Sequence, residues 1–163
     1  MTTAGAFDPL AILAALHQRE VHFVVIGGVA AYLLGSDLPS ANLDICFADS
    51  AENIRQLALA LNDLHAQSVG SPRGVAEFVD ENTLRNDDVL TFRTERGVLR
   101  CIRKPAGTRG YGDLRERAES MEIDGVQTNV ADLADLIRMK EAFDREKDRL
   151  ALLRLRALQK LSK

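Results

Sequence analysis

Asn42 and Asp44 stand two residues apart in the run Asn42-Leu43-Asp44-Ile45-Cys46. In an extended strand that spacing puts both side chains, with Cys46, on one face of a sheet. An amide oxygen and a carboxylate aimed the same way can coordinate a cation. Thirteen residues, Val29 to Ala41, separate this run from Gly27-Gly28, which follows the β-branched and aromatic stretch His22 to Ile26. A helix beginning at two glycines presents unpaired backbone N–H groups and its positive dipole end, a setting for phosphate. A tight turn with close packing accounts for the glycine pair equally well. Turn and side-chain oxygens together are the elements of a magnesium-nucleotide site.

Other reactive side chains form no comparable group. His17, His22 and His65 have no ligand spacing with Cys46 or Cys101, which argues against a zinc site. The cysteines form no Cys-x-x-Cys pair and lie in apolar, strand-like runs, as buried free thiols do. Ser36 sits in no Gly-x-Ser-x-Gly elbow, so a serine hydrolase is unsupported.

The elements that position these residues follow from caps, turns and periodicity. Asp8-Pro9 starts a helix over about 9–19, and His22 to Ile26 and Leu43 to Phe47 read as strands with a short helix, Val29 to Leu34, between them. Ser50 caps a helix whose Ile54, Leu57, Leu59 and Leu61 mark a buried face. The stretch from Gln67 to Asp88 reads as loops around short elements. Val89–Thr94 and Val98–Arg103 form a hairpin, Asp113 to Met121 a helix, and Met121 to Val130 a second hairpin turning at Asp124-Gly125. Asp132 caps a helix to about Phe143, with Asp135 in the capping-box position. Asp144 caps the last helix, with Leu150, Leu153, Leu158 and Leu161 on its apolar side. The order implies an α/β (α+β) fold: a mixed sheet flanked by helices and closed by C-terminal helices, with 1–163 as a single domain and 131–163 as its helical part.

Composition bounds the partners. With 163 residues, 46% of them hydrophobic, and no run of about 18 apolar residues, the chain reads as one soluble, cytoplasmic domain without a membrane span. The start MTTAGAFDPL lacks the features of a secretory signal. A net charge of -3 argues against holding nucleic acid by bulk charge. The basic run from Arg145 to Lys163 reads as a solvated helix face.

Ile26-Gly27-Gly28, the thirteen-residue gap and Asn42-Leu43-Asp44-Ile45 resemble the DNA polymerase beta-like nucleotidyltransferase superfamily. That pattern is a hydrophobic residue, Gly-Gly or Gly-Ser, then Asp-hydrophobic-Asp-hydrophobic. The stretches "CIRKPAGTRGYGDL", "EIDGVQTNVADLADLIRMKEA" and "REKDR" are similar to later blocks of small bacterial proteins related to the abortive-infection type of toxin-antitoxin nucleotidyltransferases. The resemblance implies a nucleotidyltransferase-like fold and transfer of a nucleoside monophosphate from a magnesium-bound triphosphate to an RNA (tRNA) or protein hydroxyl. It further implies a cognate antitoxin as partner. Asp44 and Asn42 become the metal ligands and, with Lys140, the catalytic set; Gly27, Gly28, Ser36, Arg100 and Asp148 become nucleotide-binding residues.

The chain departs from that pattern where charge matters. Asn42 replaces the first carboxylate, Arg100 the third, and Leu38 and Ser40 stand where relatives carry arginine and threonine. Four departures read as natural divergence rather than as one engineered change. A two-metal transfer uses its carboxylates to hold the ions that stabilise developing charge, so these replacements imply impaired catalysis. Arg100 could instead grip phosphate directly. The alternative is a non-catalytic nucleotide-binding or protein-interaction module on the same fold.

Overall fold

The computed structural model describes residues 6–70, 78–143 and 145–162. The Asp144 cap and part of the middle loop, 71–77, lie outside the described residues.

Asp8 caps α1 (Pro9–Gln18), its carboxylate accepting from the Ala11 amide at 3.1 Å. Pro9 opens the helix at a position where no N–H is needed. The wholly buried β1 (Phe23–Ile26) runs directly into α2 (Gly27–Leu33). This helix starts two residues before Val29 because Gly27, at φ +69°, adopts the left-handed backbone that bends strand into helix at once. After β2 (Asn42–Phe47), α3 (Ala51–Asp63) begins at Ser50, whose side chain accepts from the Asn53 amide at 3.3 Å. Ile54, Leu57 and Leu61 are buried, whereas Leu59 is 37% exposed. Two residues turn a helix by about 200°, so Leu59 points away from Leu57.

Then come β3 (Gln67–Ser68), α4 (Glu81–Arg85), β4 (Val89–Thr94), β5 (Gly97–Ile102) and α5 (Tyr111–Arg117). β6 (Glu119–Ile123) and β7 (Val126–Val130) form the second hairpin. The helix expected to reach Met121 therefore stops at Arg117. Glu119 and Ser120 extend the expected hairpin, so that Glu119 to Ile123 pair with β7 across Asp124 and Gly125, whose φ values of +51° and +82° suit a two-residue turn. α6 (Leu133–Phe143), a 3-10 turn (Glu146–Asp148) and α7 (Arg149–Leu161) complete the chain.

The seven strands form one mixed sheet in the order β3-β4-β5-β2-β1-β7-β6. β2 runs antiparallel to β1 and parallel to β5, with Asp44 opposite Arg100 in register. Parallel pairing needs a long crossover, which the chain from α3 to β4 supplies. Leu43, Ile45, Leu57, Phe92 and Leu99 are fully buried around these strands. Each such side chain contributes about 2 kcal/mol by leaving water.

α7 corrects another expectation. Leu155 is its buried residue, at 2% exposure, while Leu150, Leu153 and Leu161 face solvent. Leu158 is half-buried and approaches Gly35, so the helix docks through the 155–158 side. Between α5 and α6, the Asp113 carboxylate accepts from Arg117 at 2.7 Å and Arg138 at 3.0 Å. Asp132 caps α6 through the Asp135 amide at 2.8 Å, while the Asp135 carboxylate binds Arg117 instead of closing a capping box. No helix among the described residues is long and apolar enough to cross a membrane.

Candidate functional site

The β1–α2 junction lies against β2 so closely that a Cβ on Gly27 would come within 2.6 Å of Asp44 Oδ2. One on Gly28 would meet Ser40 Oγ at 2.8 Å. The absence of side chains there is what brings backbone and carboxylate together. Asp44, 14% exposed at its side chain, accepts from Asn42 Nδ2 at 2.6 Å through Oδ1. Through Oδ2 it accepts from Arg100 Nη1 at 3.3 Å. Burial pushes its carboxyl above the ordinary range; Arg100, the Asn42 hydrogen bond and Lys140 pull the other way without cancelling the rise.

Facing this group across a cavity of about 430 Å³ are the last two helices. Leu136, Met139, Lys140 and Phe143 come from α6, Ala151 and Leu155 from α7, and Arg145 from the bend between them. Leu38 and Pro39 close one side; Lys104, Pro105 and Ala106 close another. Lys140 Nζ donates to Asp148 Oδ1 at 2.9 Å and Arg145 Nε to Asp148 Oδ2 at 2.7 Å. The Arg145 guanidinium also lies 4.5 Å from the Phe143 ring centroid. The cavity thus combines an apolar lining with cationic groups.

Of the residues singled out by sequence, Gly27, Gly28, Ser36, Asp44, Arg100 and Lys140 line this one cavity. Asn42 and Asp148 stand behind it, holding Asp44 and Lys140 respectively. Ser36 is buried and accepts from the Leu38 amide at 3.2 Å, bracing the loop. Lys104 and Arg145 were missed. Lys104 was within reach, because Arg100, Ile102 and Lys104 alternate along one strand direction. Arg145 enters from the bend before α7 and carries no local pattern.

Magnesium, implied by the family resemblance, does not suit this donor set. Asp44 is the sole carboxylate lining the cavity among the described residues, and both of its oxygens are engaged. Among the described residues no cluster of three or more His, Cys, Asp or Glu could hold a metal. At about 4 Å and an effective dielectric near 20, one carboxylate attracts a divalent cation by about 8 kcal/mol, and a neighbouring guanidinium repels it by about the same. The protein's own groups then leave the cost of stripping the ion's water unmatched.

Cys46 belongs to the fold rather than the site: it is fully buried and its thiol is pushed up to about 12 by burial. Cys101 is likewise buried and shifted upward by the same cause. Neither is a nucleophile at neutral pH.

No protein-family model matches the chain, and no curated protein matches it in sequence. Solved structures do match. The lincosamide antibiotic adenylyltransferase LnuA, solved with lincomycin bound, is 12% identical, with a TM-score of 0.64 over 92% of this chain and 95% of its own. A Thermotoga maritima protein assigned as a nucleotidyltransferase is 14% identical, with a TM-score of 0.52 over 97% and 94%. ANT(2")-Ia, solved with adenylyl-2"-tobramycin, is 15% identical, with a TM-score of 0.54 over 88% and 82%. The chain therefore has the fold of these nucleotidyltransferases.

Proposed function

We propose that this chain is a nucleotide-binding protein on a nucleotidyltransferase fold, taking a nucleoside triphosphate in the cavity beside Asp44, with transfer of the nucleoside monophosphate impaired. The observation that carries the reading is the ion pair of Arg100 with Asp44 at 3.3 Å. A carboxylate held by a guanidinium on one oxygen and an amide on the other is poorly placed to activate an attacking hydroxyl. Lys104, Lys140 and Arg145 supply the charge a polyphosphate needs, and the apolar wall of Leu136, Met139 and Leu155 can cover a base. The notion of a tRNA or protein acceptor, and of an antitoxin partner, rests on the family resemblance alone.

The test is incubation of the chain with labelled triphosphates, magnesium and total tRNA or cell lysate. The expected result is no label transfer by the natural chain and a gain of transfer in the Asn42→Asp, Arg100→Asp double variant. Transfer by the natural chain that disappears in Asp44→Ala would establish an active enzyme instead.

A further inference from the structure

We infer that the cavity takes its polyphosphate without a divalent cation, the Arg100 guanidinium occupying on Asp44 the place such an ion would take. The inference rests on the nucleotide reading above and specifies how that ligand is held. Three observations converge on it. Both Asp44 oxygens already have a partner and one is crowded: Oδ1 accepts from Asn42 at 2.6 Å, Oδ2 from Arg100 at 3.3 Å, and Gly27 lies against Oδ2. Charge in the cavity then favours an anion. Arg100, Lys104, Lys140 and Arg145 line it against Asp44, and buried Asp148 offsets Lys140 and Arg145, leaving an excess of two positive charges.

The third observation is the state of the donors. Among the described residues Arg100 has Asp44 as its one acceptor, so its remaining N–H groups are available, and its side chain is 33% exposed beside the cavity. Lys104 is exposed and has no ion-pair partner among the described residues. A guanidinium fork and a neighbouring ammonium can meet two phosphates at once. Magnesium bound to the triphosphate would cancel part of the negative charge these groups attract. The ion and the protein therefore compete for the same phosphate oxygens.

Calorimetric titration with ATP and with inorganic tripolyphosphate, each in EDTA and in millimolar magnesium, tests this. Binding in EDTA that is unchanged or several-fold weaker with magnesium is the expected result. Binding seen only with magnesium overturns the metal-free inference and leaves the nucleotide reading standing. Absence of binding by either probe in both buffers overturns the nucleotide reading and this inference with it. Arg100→Ala should weaken metal-free binding about ten-fold to a hundred-fold, while Arg100→Lys, which keeps the charge but loses the fork, should weaken it less than Arg100→Ala does. Circular dichroism melts of both variants verify folding. Equal affinities for the natural chain and a folded Arg100→Ala variant in EDTA would overturn the role given to Arg100.

Discussion

Gly27 and Asp44 meet so closely that the first has no room for a side chain while the second keeps its carboxylate in place: a Cβ would sit 2.6 Å from Oδ2 and 3.2 Å from the Asp44 Cβ. Gly27 also holds φ at +69°. Gly27→Ala therefore combines left-handed strain of about 1–2 kcal/mol with displacement of the Asp44 side chain. A lower melting temperature together with weakened triphosphate binding is the expected outcome, read by thermal unfolding and calorimetry.

Asp148 compensates Lys140 and Arg145 from a side chain that is 8% exposed. Asp148→Asn leaves both cations without a counter-charge, costing about 1–2 kcal/mol because each reaches solvent. The same change raises the positive potential of the cavity. Stability should fall while affinity for tripolyphosphate in EDTA rises several-fold, an opposed pair of effects that a merely misfolded variant would not show.

Acid sensitivity should centre on Asp113. The Arg109 amide, Arg117 and Arg138 hold its carboxyl well below the usual range, against the opposing effect of burial. Depressed in the folded state, it contributes stability that is fully present above the unfolded value of about 3.9 and is lost as pH falls toward the folded value. Urea unfolding between pH 7 and pH 3 should show stability declining below about pH 4. In Asp113→Asn that decline should be shallower. At pH 7 the variant should be about 2 kcal/mol less stable, a figure kept low because Arg117 and Arg138 are more than a third exposed.

The two sides of α7 should respond differently to truncation. Leu155→Ala, at a residue 2% exposed, removes contacts from the cavity wall and should cost about 2–4 kcal/mol. Leu153→Ala, at a residue 63% exposed, should stay within about 0.5 kcal/mol of the natural chain. Denaturant titration of both variants checks the assignment.

Local signals were the readable ones. Asp8-Pro9, Ser50 and Asp124-Gly125 mark boundaries by their own backbone chemistry, and each lies at the expected boundary. The Met121 to Val130 hairpin was legible, but its first strand begins earlier: Glu119 to Met121 misled because Glu and Met favour helix, and only pairing with β7 makes them strand. Leucines all round α7 offered no unique buried side, so the choice of Leu155 depended on packing with distant residues. Likewise, alternation along β2 placed Asn42 and Asp44 together, but the partnership of Asp44 with Arg100 required the parallel register of β2 and β5. The cationic lining of the cavity was half legible: Lys140 and Arg100 were named, whereas Lys104 was passed over and Arg145 was concealed in a bend.

The cavity is a seam. One wall is sheet, from the β1–α2 junction, β2 and β5; the other is α6 and α7, contributed by the last stretch of chain. Anything seated between them touches both, so occupancy and the attachment of the terminal helices are linked quantities. A filled cavity acts as a rivet, and amide hydrogen exchange along α6 and α7 becomes a gauge of whether the rivet is in place.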